Sequence, residues 1–378
     1  MGFRITTNMM MSTYRYNLMK STNKLSGSSD KVMTHRNFGS YAEDPTAATQ
    51  AFRLRRDYRK TASQLSNTDS VYNKFHTAWT NLGGIITDMT DANGRVSAIR
   101  GNNDGTGEAR SALAKVLRET GDSVIQAMNQ KVGDRFIFAG NDGLNVPFSW
   151  SKDADGNKIL LYRGINVNSQ NPEDLAKLKA MTEEEINIDM GMGLKEDDND
   201  VLINGSAFNA ALCGLDFLNY GVDKDGDPKN VALVMRELAD VFDTWGENGQ
   251  RYLPEEYREM SEADLKELMK NDEDVAKEIN DYHDEMEAKA FRLMDKLNAA
   301  QEHLTEKYVE LNADSSFLQT NSSMLSSQKT DLNTQILDVE QINLADAITQ
   351  MSWDQYCYNA ALKIGNQLLS QSLIDYMR

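Results

Sequence analysis

Residues 51–89 read AFRLRRDYRKTASQLSNTDSVYNKFHTAWTNLGGIITDM. Ala51, Tyr58, Leu65, Tyr72, Trp79 and Ile86 recur every seventh residue, and Leu54, Thr61, Thr68, Phe75, Leu82 and Met89 each follow three residues later. Such a repeat gathers apolar and aromatic side chains on one stripe of an α-helix, the pattern of a helix laid along another helix. The run also has a start. Asp44 can accept from the free N–H groups of a first turn, while Pro45 has the right φ and no N–H to waste. The spacing predicts one helix from Pro45 into the nineties.

A stripe of that length needs a partner. From Glu255 to Ile364 neither Gly nor Pro obliges the backbone to leave a helix. Within it, Leu297, Leu304, Leu311, Leu318, Leu325, Leu332 and Val339 form a second seven-residue column. Its companion seam is mixed: Tyr308 and Ile336 are apolar, whereas Ser315, Ser322 and Lys329 are not. At a rise of 1.5 Å per residue, Ala51 to Met89 spans roughly 57 Å and Leu297 to Val339 roughly 63 Å. Two rods of matched length, one from each half of the chain, are expected to pair. Rod packing is assigned to Leu54, Leu65, Tyr72, Phe75, Trp79, Leu82 and Ile86 on the first, and to Leu304, Leu311, Leu318, Leu325, Leu332 and Val339 on the second. Arg100 to Gly107 (RGNNDGTG) reads as a turn, after which Leu113, Leu117, Thr120, Val124 and Ala127 restart a helical stripe.

The two ends are amphipathic as well. Met11, Leu18, Leu25 and Val32 make a heptad column at the start, and Ile348, Leu362, Leu369 and Tyr376, interrupted by Gln355, make another at the finish. Alone, each would be a marginal helix with an apolar stripe in water. Burial against each other and against other copies of the chain is the physical solution. Residues 1–40 are also basic, with Arg4, Arg15, Lys20, Lys24, Lys31 and Arg36 against Asp30 alone, in a chain whose net charge is −18.

The centre reads differently. Four of the five prolines (Pro147, Pro172, Pro228 and Pro254) fall there, with a concentration of glycines. Arg135–Ala139, Ile159–Tyr162, Ile165–Val167, Ile186–Ile188 and Val201–Ile203 are short and β-prone, whereas Ala207–Asn219 and Asn230–Glu247 look helical. The acidic run from Met181 to Asp200 is expected to be a solvated face. The fold class is therefore mainly α with an α+β insert: a long antiparallel helical rod or coiled-coil bundle formed by both termini, with a central globular α+β domain. Its divisions are 1–40 with 341–378 as terminal helices, 41–132 with 290–340 as the rod, and 133–289 as the centre.

Chemistry has little to stand on. The four histidines, His35, His76, His283 and His303, form no metal-binding pair, and no phosphate loop, nucleophile elbow or dinucleotide fingerprint is present. Asp223, Asp225 and Asp227, like Asp153 and Asp155, resemble fragments of calcium loops but lack the closing Glu, so turns are expected. No catalytic residue, metal or cofactor is expected. Cys213 and Cys357, in segments that read as helical, are expected to be free thiols. Trp79 and Trp353 lie on helical stripes and are expected to be buried. The acid excess disfavours nucleic acid and anionic lipid, and no apolar run is long enough to insert in a membrane. No cleavable secretory peptide is legible at the start.

Several short matches then point one way. Arg4-Ile5-Thr6-Thr7-Asn8-Met9-Met10 resembles the opening of the bacterial flagellar hook-filament junction family, also called hook-associated protein 3. Ala42-Glu43-Asp44-Pro45, running into Ala47-Ala48, is similar to that family's S-D-D-P loop. Gly133-Asp134-Arg135-Phe136-Ile137-Phe138-Ala139-Gly140 is similar to its G-x-Y-I-F-A-G. Ser372-Leu373-Ile374-Asp375-Tyr376-Met377 resembles its terminal S-L-L-D-Y-L, and His35 stands where the family has a glycine.

The family residues carried over are thus Arg4, Ile5, Asp44, Pro45, Phe136, Phe138, Gly140, Leu373, Asp375 and Tyr376. The resemblance implies a flagellin-like structural subunit, not an enzyme, joining hook to filament on the secreted, extracellular flagellum. Met11, Leu18, Leu25, Val32, Ile348, Leu362, Leu369, Leu373 and Tyr376 would then pack the terminal helices into the assembly. It implies as partners copies of itself, a neighbouring hook-associated junction protein and flagellin. It also implies passage through the flagellar type III export apparatus, with an export chaperone on the C-terminal helix. Filament flagellin is the nearest alternative, and a secreted coiled-coil binding or adhesin-like protein the second.

Overall fold

A computed structural model describes residues 7–102, 107–153, 156, 158–193, 195, 207–246 and 251–376. The fold is mainly α with a small α+β insert. In chain order the helices are α1 (Thr7–Thr34), α2 (Pro45–Asn102), α3 (Gly107–Met128), α4 (Pro172–Thr182), α5 (Gly214–Leu218), α6 (Val231–Phe242), α7 (Glu262–Asn271), α8 (Glu273–Glu340) and α9 (Leu344–Tyr376). The strands are β1 (Lys131–Val132), β2 (Arg135–Phe136), β3 (Phe148–Lys152), β4 (Lys158–Tyr162), β5 (Ile165–Asn166), β6 (Asn187–Ile188) and β7 (Phe208–Asn209). The chain divides into two compact units, Met1–Ser63 with Met324–Arg378, and Gln64–Ser323. Helices α2 and α8 contribute residues to both.

In the larger unit, α2 and α8 run antiparallel. Thr68 meets Asn321, Trp79 stacks on Tyr308 at 5.5 Å, Asn93 donates to Gln301 at 2.8 Å, and Arg100 reaches Asp295, so numbers rise on one helix as they fall on the other. The buried seam of α2 is Thr68, Val71, Phe75, Ala78, Leu82, Ile85, Met89, Ala92 and Val96. Phe75, Leu82 and Met89 are where the heptad puts them. The other column sits one residue earlier than expected: Val71, Ala78 and Ile85 are buried, while Tyr72, Trp79 and Ile86 lie half-buried against the edge of the same core. Bulky rings fit the flank of a helix seam better than its centre, where alanine and β-branched side chains let the backbones approach. On α8, Leu297, Leu304, Leu311 and Leu318 are buried, as is Ser315.

The insert completes this core. Helix α3 packs on α6, and Gly121 allows the approach, because a Cβ there would lie 3.3 Å from the Ala232 carbonyl oxygen. Arg118 of α3 spans Asp240 and Asp243, each at 2.5 Å. Strands β3, β4 and β5 form one antiparallel sheet, with Phe148 opposite Tyr162, and two two-stranded pairs, β1 with β2 and β6 with β7, flank it. Arg110 is buried, its guanidinium 3.4 Å from the Trp245 ring centre and donating to the Tyr252 hydroxyl at 2.7 Å. A cation held over an aromatic face retains favourable electrostatics away from water.

Two readings of this region need correction. Ala207–Asn219 is not one helix. The Asn209 side chain accepts from the Ile186 and Ala211 amides at 3.0 and 2.9 Å, which holds β7 beside β6, and only Gly214–Leu218 is helical. Cys213 accordingly lies at the N-cap of α5, buried, with its sulfur 3.3 Å from the Tyr162 hydroxyl. The acidic run is not wholly solvated either. Glu184 pairs with Arg163 at 2.8 Å, and Asp189 accepts from Gln64 of α2 at 3.0 Å. Val201–Ile203 lies outside the described residues.

In the smaller unit, Asp44 caps α2, accepting from the Thr46 and Ala47 amides at 3.1 and 2.9 Å ahead of Pro45. Leu54 and Tyr58 are half-buried, Leu325 and Ile336 of α8 are buried, and Leu332 and Val339 are half-buried. Arg55 pairs with Glu340 at 2.5 Å.

Asp223, Asp225 and Asp227 are, among the described residues, the group of carboxylates close enough to hold a cation. They face cations of α8 instead: Arg292 donates to Asp227 at 2.7 Å, and Lys296 reaches Asp223 at 2.5 Å, Asp225 at 3.4 Å, and Asp227. Burial pushes the Asp227 carboxyl up, but hydrogen bonds from Arg292 and Lys296 outweigh it and hold the group below its ordinary 3.8. A depressed folded-state pKa contributes stability that is present above pH 3.8 and lost as pH falls through the lower folded value. Asp227→Asn should therefore destabilise the larger unit by about 2 kcal/mol at neutral pH. In denaturant titrations the difference from wild type should shrink as pH falls below 3.8.

Candidate assembly surface

The terminal helices of the smaller unit pack antiparallel on each other. Ser28 of α1 donates to Asp354 of α9, and Tyr14 lies against Gly365. The connecting segments cross in register, with the Asn37 amide donating to the Glu340 carbonyl at 2.8 Å and Arg36 bridging Gln341. His35 makes the exit from α1 with φ of 57°, the left-handed position that ends many helices and that glycine takes at least cost.

On α1, Met11, Leu18, Leu25 and Val32 are half-buried, with Tyr14, Ser21 and Ser28 between them. On α9, Ala347, Met351, Asp354, Tyr358, Ala361 and Gly365 are the shielded positions. Asp354 is buried there and also accepts from Gln350 at 3.2 Å. Gly365 is needed because the space a Cβ would take is occupied by the Tyr14 ring.

The apolar column read from the sequence lies on the flank of the pair and not at its centre. Ile348 is 43% exposed and Leu362 42%, with Ile364 beside them. Trp353, expected to be buried, is 61% exposed, and its ring meets that of Tyr356 edge-on at 6.0 Å. On α1, Met9, Met10, Tyr16, Met19 and Met33 are exposed too. The side chains of Leu369, Leu373, Asp375 and Tyr376 lie outside the described set, as do Arg4 and Ile5.

The remaining motif residues belong to the larger unit and serve its core. Phe136 and Phe138 are buried, and the Phe138 carbonyl accepts from the Tyr162 hydroxyl and the Gly214 amide, each at 2.9 Å. Gly140 has φ of 63° and donates to the Leu212 carbonyl at 2.9 Å. The free thiols are Cys213, pushed up by burial, and exposed Cys357. Among the described residues no helix is long and apolar enough to cross a membrane.

Helices α1 and α9 thus form a pair that leaves several large apolar side chains exposed. No protein-family model and no curated protein matches the sequence. Solved structures align with much of the chain. A putative flagellar hook-associated protein from Vibrio parahaemolyticus aligns with a TM-score of 0.49 at 14% identity, over 79% of this chain and 100% of that one. FlgL of Bacillus cereus aligns with a TM-score of 0.44 at 14% identity, over 75% of this chain and 99% of that one. FlgL of Xanthomonas campestris gives 0.45 at 14% identity, with the same coverage of 75% and 99%.

Gly365→Val should force Tyr14 out of the helix pair, at a cost of about 1–3 kcal/mol for overpacking. The expected result is faster amide exchange in α1 and α9 with unchanged exchange in α3 and α6. His35→Gly should act in the opposite direction and slow exchange in α1, because the left-handed position costs an ordinary residue about 1 kcal/mol.

Proposed function

We infer that this chain is a structural subunit of a bacterial flagellum, set between hook and filament and assembled through its terminal helices, with no catalytic turnover. The observation that carries the assembly is the division of labour on α9. Small and polar groups, Ala347, Asp354 and Gly365, close it on α1, and Ile348, Trp353, Tyr356, Leu362 and Ile364 are left facing water. Large apolar side chains left exposed along one helix are costly unless another chain covers them, since burying each contributes about 1.5–3 kcal/mol. The sequence matches at both chain ends and around Phe136–Gly140 support the flagellar assignment and favour the junction over filament flagellin.

In that reading residues 1–40 and 341–378 form the inner layer, 41–132 with 290–340 the rod, and 133–289 the outer domain. Copies of the chain, a second hook-associated protein and flagellin cover the open faces. An export chaperone covers the α9 stripe before passage through the type III apparatus, and the protein acts outside the cell.

Ile348→Asp with Trp353→Asp should leave the monomer's melting curve within about 1 kcal/mol of wild type, because both side chains are already in water. The doubly substituted chain should fail to enter polymer when added to growing ends or expressed in place of wild type. Removing the last 35 or so residues should likewise leave the larger unit folded and abolish incorporation. Normal incorporation of either variant would exclude assembly through this surface. A fold-competent chain that binds host or matrix proteins but never appears at a filament base would favour the adhesin-like alternative.

A further inference from the structure

One cavity of the larger unit is unlike the rest of this acidic chain. It encloses about 370 Å³ between α2 and the β1–β2 turn, and its charged lining residues are two cations, Lys74 and Arg135. Among the described residues no carboxylate lines it. Glu184, beside it, accepts from the Asn141 amide at 2.8 Å and is paired with Arg163 at 2.8 Å. The rest of the wall combines apolar Val132, Phe136, Ile137 and Ile186 with polar Ser70, Asn73 and Asn141.

Both cations are held in place. The Lys74 ammonium donates to the Ala210 carbonyl at 2.8 Å, which leaves two N–H bonds over. The Arg135 stem lies on Gly143, where a Cβ would come within 3.3 Å of it. Burial, with the like charge of Arg135 added, brings the Lys74 amine down to about 8. Two unneutralised cations beside an apolar wall are a receptor for one anionic group carried on an apolar body.

We propose that this cavity binds a small organic carboxylate, its anion held between Lys74 and Arg135 and its apolar body against Phe136, Ile137, Val132 and Ile186. Inorganic phosphate suits the site less well, since it leaves the apolar side chains of Val132, Phe136, Ile137 and Ile186 uncovered. The occupied site raises the Lys74 pKa, because an anion beside the amine favours its charged form.

Benzoate is the probe, with benzyl alcohol as its neutral counterpart and inorganic phosphate as the bare anion, all on the full chain. Benzoate should bind saturably, shift the Lys74 titration upward in NMR of the labelled amine, and slow acetylation of Lys74 mapped by mass spectrometry. Lys74→Met and Arg135→Gln should each weaken benzoate by ~10-fold or more, as loss of one charge partner requires. Arg135 is exposed, so its variant keeps the fold, and the acetylation measurement on wild type needs no variant. The proposal is overturned if benzoate does not saturate, if benzyl alcohol protects Lys74 equally, or if phosphate binds more tightly than benzoate.

Discussion

The structure depends on the antiparallel contact between α2 and α8. A helix of 58 residues with an apolar stripe cannot stand alone in water, and a helix of 68 residues from the other half of the chain supplies its cover. The contact ties together segments more than two hundred residues apart, so everything between them is obliged to form a closed excursion. That excursion is the α+β insert. Its short strands contribute few ladder hydrogen bonds, and much of its attachment comes from side chains that reach the rods: Arg292 and Lys296 to the Asp223–Asp227 turn, Lys74 to Ala210, and Gln64 to Asp189.

The rods were legible because heptads survive any detail of packing. Asp44-Pro45 marked the start of α2, and the stretch free of Gly and Pro marked α8 and α9. The register of one column was not legible. Tyr72, Trp79 and Ile86 are together bulkier than Val71, Ala78 and Ile85, yet the smaller set occupies the centre of the seam. Hydrophobicity alone ranks side chains by size, while the distance between two backbones ranks them by fit. The error at Ala207–Asn219 has a different origin, since Asn209 captures the backbone of Ile186 and so makes a strand pair that no local propensity announces.

The same distinction governs the terminal pair. The apolar column Ile348, Leu362 was visible, and the expectation that α1 and α9 meet was sound, but the residues that join them on α9 were hidden among the inconspicuous ones. Gly365 accepts the Tyr14 ring and Asp354 accepts the Ser28 hydroxyl. Neither is found by a search for apolar periodicity. His35, by contrast, was flagged because a glycine was expected there, and the left-handed backbone at that residue supplies the physical reason.

The helix pair has a mixed interface, with Leu18, Leu25, Met351 and Tyr358 only half-buried beside Asp354 and Gly365. Its hydrogen bonds replace bonds to water and contribute about 1 kcal/mol each, and its apolar contact is only half-buried. A strong pair would have used Trp353, Tyr356 and Leu362 inward, hiding them in the isolated chain and leaving nothing for a neighbour. In the proposed assembly, keeping them outward trades stability of the free chain for stability of the polymer, and order in the terminal helices would depend on the neighbours that cover them. The larger unit, with its sealed core of Phe138, Phe148, Tyr162 and Phe242, has no such dependence. Conditional ends on an autonomous body are what an assembling subunit needs if it is to remain soluble until it reaches its place.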